Sequence, residues 1–181
     1  MKPPSYYSLT TESPRTEAPL VRIVTGSSWF QPSESYALSK LENEISKLSI
    51  EKQSQYYELH EYKREGETNE KTLNIFRTNA YPAGLNAAGV FPQISRLNSA
   101  CNPNVHYNYD TKRNVSTVYA IRPIIAQTEI LNCYIGLFMP RKARLEYLMR
   151  NFGFHCDCST CRLQGVELQH SDFRRKKLVL T

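Results

Sequence analysis

Cys156, Cys158 and Cys161 stand within six residues in FGFHCDCSTC, and thiolates at that spacing can converge on one metal ion. Zinc is the favoured ion, because it takes four ligands in a tetrahedron and draws them mainly from cysteine and histidine. Three crowded thiols without a metal would be chemically hazardous. The cluster is one ligand short, so a distant part of the chain must supply the fourth. Cys101, Cys133, His155 and His170 are the candidates. His155 adjoins Cys156, where neighbouring side chains diverge. Cys101 is better placed, in the Asn- and Pro-rich loop RLNSACNPN, where a metal can pin the chain.

The elements that must position these residues follow from periodicity and punctuation. MKPPSYYSLTTESPRTEAP carries four prolines and no apolar period, so it reads as extended or irregular. Leu20 to Val24 is a short strand. After Pro32, Ser33 is a plausible cap for a helix with Leu38, Leu41, Ile45 and Leu48 on one face. Ser49 caps a second helix through Tyr56, Tyr57, Leu59 and His60, with His60 read as a structural histidine, and KREGETNEK then breaks the pattern. From about Thr72, glycines and prolines punctuate short apolar runs, which predicts loops and short strands rather than helix. Val105, Tyr107 and Tyr109 alternate with polar residues, Asp110 to Asn114 is turn-prone, and Val115 to Ile121 alternates again, so these segments predict a hairpin. Glu129 to Ile135 predicts another strand. Pro140 suits the first turn of a last helix with Leu145, Leu148, Met149 and Phe152 in its stripe, and Gly153 stops it. The expected class is α+β, a mainly β core with added helices.

Several segments together resemble the SET domain of protein lysine methyltransferases. RLNSACNPN is similar to the signature RxNHSCxPN, AIRPIIAQTEILNCYIG to AIRDIKKGEEITISYID, and RKARLEYLMRNFGFHCDCSTC to the closing helix and post-SET C-x-C-x-x-C. The resemblance is greatest to SET and MYND domain-containing proteins and fungal relatives without the MYND finger. It implies a SET β core with a pseudoknot-like loop over residues 17–163, including a helical insertion at 33–68 and a closing helix and zinc segment at 139–163. Residues 1–16 would be an irregular, non-matching start and 164–181 a solvated, mobile basic tail. By the same resemblance, Cys101 joins Cys156, Cys158 and Cys161 on one structural zinc, and Tyr134 is the catalytic tyrosine. Asn98, Ser99, Phe154 and, by a looser match, Asn79 would contact S-adenosylmethionine. The implied function is S-adenosylmethionine-dependent methylation of a protein lysine.

The resemblance also implies differences. The strand and G-x-G turn that begin a SET domain have no counterpart before Glu17, which is expected of a chain that lacks its opening segment. Ser99 replaces the signature histidine, Gln127 and Thr128 replace Gly-Glu at a turn where glycine permits a positive φ, and Gly136 replaces an aspartate. These changes imply reduced or absent activity, so a non-catalytic SET-like protein-binding module stands as the alternative. A zinc-containing nucleic-acid-binding module is the third reading.

The formal charge of +6 identifies no partner, since Arg174, Arg175, Lys176 and Lys177 against Asp172 supply half of it. Five cysteines form an odd set, and neither a signal peptide nor a membrane span is legible. A reduced, intracellular protein of nucleus or cytoplasm is expected. Its partner would be a lysine-bearing protein or peptide, histone or otherwise. Nucleic acid and membrane are not expected, and a monomer is.

Overall fold

The computed structural model describes residues 15–24, 34–67 and 69–178. Three small sheets and five helices make up the described chain, in the α+β class. Strand β1 (Arg15–Glu17) pairs antiparallel with β7 (Val115–Ala120), which pairs with β6 (Val105–Asp110). Strand β4 (Ala87–Val90) lies between β2 (Val21–Val24) and β3 (Tyr81–Pro82), again antiparallel. The third sheet is a parallel pair, β5 (Asn98–Ser99) with β8 (Leu131–Asn132).

The expected hairpin forms as β6 and β7. Its turn is set by Asp110, whose Oδ1 accepts from the amides of Lys112 and Arg113 at 2.9 and 3.1 Å. The expected strand from Glu129 to Ile135 is shorter, only Leu131–Asn132. Asn104 explains the difference. Its Nδ2 donates to the Glu129 carbonyl at 2.8 Å and its Oδ1 accepts from the Leu131 amide at 2.7 Å, so one carboxamide replaces a ladder partner. The β5–β8 pairing and this bridge join two segments separated by the hairpin, as a pseudoknot-like loop requires.

Helices α1 (Glu34–Ser46) and α2 (Ile50–Tyr57) realise the expected helical pair. The predicted cap Ser33 lies outside the described residues, whereas the Ser49 side chain accepts from the Lys52 amide at 3.4 Å as a cap should. Leu41 and Ile45 bury against Tyr56, Leu59, Val21 and Ile23 in one apolar cluster. Each such aliphatic side chain contributes roughly 1.5–3 kcal/mol.

The region from Thr72 departs from expectation, because Lys71–Asn79 is a helix, α3. Its residues Leu73, Asn74, Ile75, Phe76, Thr78 and Asn79 are all buried. The helix is only nine residues long and its cap position, Glu70, makes no side-chain cap hydrogen bond, so no start signal marks it in the sequence. Its polar groups bond inward: Asn74 Nδ2 to Glu61 at 3.1 Å, and Thr78 Oγ1 to the Asn74 carbonyl at 2.7 Å.

Helix α4 (Arg141–Phe152) ends at Gly153, with φ 70°. A side chain there would also meet the Tyr62 ring at 2.3 Å, so two independent constraints demand glycine. Tyr62 donates its hydroxyl to the Met149 carbonyl at 3.1 Å, which fastens the segment after α2 to the end of α4. The basic segment corrects the picture of a solvated, mobile tail, because Gly165–Lys177 forms helix α5 and Arg175 turns inward. Arg174, Lys176 and Lys177 remain exposed.

Candidate active site and metal centre

Four of the predicted residues come together. Asn98, Ser99, Tyr134 and Phe154 line one pocket open to solvent, with Phe152, Thr78 and His60 completing the described wall. β5 contributes Asn98 and Ser99, the segment after β8 contributes Tyr134, and the turn after α4 contributes Phe154. The aromatic side is continuous: the Tyr134 ring lies 4.8 Å from that of Phe152 and meets that of Phe154 edge-on at 6.4 Å.

Tyr134 is held at both ends by the signature segment. Its backbone amide donates to Ser99 Oγ at 3.1 Å, and its hydroxyl donates to the Leu97 carbonyl. The serine that stands in place of histidine thus keeps a polar link to the tyrosine strand. Burial, assisted by nearby Tyr81 and Glu129, pushes the Tyr134 hydroxyl well above the usual phenol value. It is therefore neutral at pH 7. Asn98 Nδ2 donates to Glu129 Oε1 at 2.7 Å, which sets the plane of its carboxamide.

The other replacements are accommodated locally. Gln127 adopts φ 67°, the left-handed angle that glycine would take at this turn. A side chain at Gly136 would meet nothing within 4 Å, so no close approach requires glycine there. Residues 1–14, where the sequence shows no counterpart of the opening G-x-G strand, lie outside the described residues, whereas Arg15 and Thr16, expected to be irregular, pair with Val118 and Thr117 as part of β1.

Asn79 lies behind the pocket rather than among its lining residues. It is 2% exposed, and its Nδ2 donates to the carbonyls of His60 and Ile75, both at 2.7 Å. Its buried Oδ1 has no partner among the described residues. His60, read from sequence as a structural side chain on α2, instead stands past the end of that helix and lines the pocket. The helical pattern placed it on the packed face, and nothing local signalled the change in direction.

The Sγ atoms of Cys101, Cys156, Cys158 and Cys161 lie within 4.8 Å of one another. Tetrahedral Zn–S bonds of about 2.3 Å imply sulfur separations of about 3.8 Å, so the four residues fit such an ion. Cys133 is not part of this group; its Sγ donates to the Ile135 carbonyl at 3.3 Å. His155 and His170 are also outside it. Cys161 Sγ donates to Cys101 Sγ at 3.5 Å, and the mutual hydrogen bonding of the four thiols holds Cys156, to about 6, and Cys158 low while Cys101 and Cys161 are pushed up. Four crowded thiols cannot all ionise against one another unless a cation offsets their charge.

Residues 10–135 match the family model described as the SET domain. The chain belongs to the SET-domain family. Over 140 residues, 77% of this chain, it is 33% identical to the histone-lysine N-methyltransferase set5 of Schizosaccharomyces pombe, covering 43% of that protein. It is 34% identical over 89 residues to the N-lysine methyltransferase SMYD2-A of Danio rerio, 49% of this chain and 20% of the relative. The histone-lysine N-methyltransferase SMYD3 of Homo sapiens is 30% identical over 79 residues, 44% of this chain and 18% of the relative. This SET chain thus spans less than half the length of each. Among its described residues no helix is long and apolar enough to cross a membrane.

Proposed function

We propose that this SET domain binds S-adenosylmethionine in the pocket of Asn98, Ser99, Tyr134 and Phe154 and serves methylation of a protein lysine, with zinc on the four cysteines as a structural ion. The observation that carries the reading is the convergence of the signature strand, Tyr134 and the turn after α4 on one pocket. The pocket suits the cofactor chemically, since Phe152 and Phe154 offer faces to a flat heteroaromatic ring and Asn98 offers a carboxamide to a polar amino-acid group. When bound, S-adenosylmethionine supplies an electrophilic methyl group.

The residues of the chain supply position and an apolar surround. A lysine must be neutral to accept a methyl group, and losing its proton in water at pH 7 costs about 4.6 kcal/mol. Enclosure beside Tyr134, Phe152 and Phe154 disfavours the ammonium and reduces that cost. A Tyr134 hydroxyl with a raised pKa stays protonated and is not available as a base, so it orients the amine by hydrogen bonding. Asn79 acts by holding the His60 backbone, and His60 closes the edge of the pocket. Zinc ties the Cys101 loop, three residues beyond Asn98, to the segment that begins at Phe154.

Transfer of a tritiated methyl group to lysine-containing histone and non-histone proteins tests the reading. Wild-type protein labels a lysine and Tyr134→Phe protein does so about 10²–10³-fold more slowly. Cofactor binding without transfer to any lysine would favour the non-catalytic module, and absence of cofactor binding would defeat the proposal.

A further inference from the structure

Arg144 is the largest fully buried side chain in the described chain, at 0% exposure, and it sits on the face of α4 that packs toward the cysteines. A guanidinium taken out of water is costly unless anions and acceptors replace the water. Its replacements are incomplete. Nη1 donates to the Met139 carbonyl at 2.6 Å, but the nearest carboxylate oxygen, Asp172 Oδ1, lies 3.8 Å away, and Nε has no partner among the described residues. Nη2 faces Cys161 Sγ at 4.0 Å. Neutral thiols would not offset a buried cation, whereas four thiolates around one divalent ion carry two net negative charges.

Two more arginines reach the same side of the cluster. Arg141 donates its Nε to the Cys161 carbonyl at 2.7 Å and its amide to Asp172 Oδ1 at 2.8 Å. Arg175 donates to the carbonyls of Cys101, at 3.3 Å, and of Leu137. These contacts select Cys101 and Cys161, the two most deeply buried ligands. They also carry the attachment of α5, which buries only Ser171 and leaves Val166 and Phe173 exposed. Asp172 and Arg175 hold a helix that apolar packing does not.

We propose that Arg144, Arg141 and Arg175 form a cationic outer shell that the four-cysteine centre needs to hold a divalent metal tightly, and that through Asp172 and Arg175 this shell makes the docking of α5 depend on the metal. The inference rests on the reading that the cysteines bind zinc, and it is independent of methyl transfer. N–H groups directed at metal-bound thiolates spread their charge and orient them, and loss of such partners weakens metal binding about 10–100-fold.

Zinc affinity of the full chain is measured by competition with a chromophoric chelator, for wild type, Arg144→Met, Arg144→Lys and Arg175→Gln. Hydrogen exchange of residues 165–177 is followed with and without metal. Arg144→Met weakens zinc about 10–100-fold, Arg144→Lys less, and α5 amides exchange faster in stripped wild type and in metal-loaded Arg175→Gln while α1 does not change. Arg175 is half-buried at the periphery, so Arg175→Gln carries the test if Arg144→Met fails to fold. A wild type that binds no zinc overturns both the metal reading and the outer shell. Tight zinc binding that is unchanged in the variants, or α5 exchange indifferent to metal, overturns the outer shell alone.

Discussion

The two walls of the pocket are held by unlike means. Asn98, Ser99 and Tyr134 belong to a wall knitted by backbone pairing, where β5 and β8 run side by side, Asn104 replaces a missing ladder partner, and Ser99 and Leu97 hold Tyr134 at both ends. Phe152 and Phe154 belong to a wall outside any sheet. Gly153 turns the chain between them, Tyr62 packs on that turn, and Cys156 fastens the segment two residues later. The first wall forms whenever the core forms. On the proposal that the four cysteines bind zinc, the second needs that ion as well.

Removing the metal should separate the walls most sharply. Cys101→Ser, or chelation of wild type, is expected to destabilise the region after α4 by about 4–5 kcal/mol or more, read as loss of zinc in native mass spectrometry and a lowered Tm. Amides of β5 to β8 should keep their protection. Uniform loss of protection across both walls would break the distinction.

Next in size is Tyr134→Phe, which leaves both walls standing and removes only the positioning hydroxyl. Methyl transfer is expected to fall about 10²–10³-fold, with cofactor affinity changed only a few-fold. Asn104→Ala attacks the knitted wall instead. It leaves the Glu129 carbonyl and the Leu131 amide without their partner, at about 2–3 kcal/mol, measurable by urea unfolding. Zinc affinity should change little. Gly153→Ala is the smallest and strikes the other wall, costing about 1–3 kcal/mol from the left-handed φ and the contact with Tyr62. Its cofactor affinity should drop while methyl transfer at saturation survives.

The same division explains what the sequence disclosed. The cysteine spacing, the RLNSACNPN motif, the β6–β7 alternation and Gly153 are local signals, and each led to the feature the structure contains. The conversion of Gln127 to a left-handed residue was also legible, because the resemblance marked a glycine position. Helix α3 was hidden because it is only nine residues long and Glu70 gives it no side-chain cap, so no start signal marks it. Arg144 was hidden differently: a cation inside an apolar stripe reads as solvent-facing unless its partners, Met139 and Cys161, are known to lie beneath it. His60 and the α5 contacts of Arg175 depend on segments distant in sequence, and no local pattern encodes them.

The central claim is that the two walls together form a cofactor site whose second wall depends on Phe154. Isothermal titration of zinc-loaded protein with S-adenosylmethionine tests it directly. Saturable binding is expected, weakened about 10-fold or more by Phe154→Ala, in keeping with the 1–3 kcal/mol of a base stacked on an aromatic side chain. No heat at millimolar cofactor, or binding unaffected by Phe154→Ala, would contradict the account.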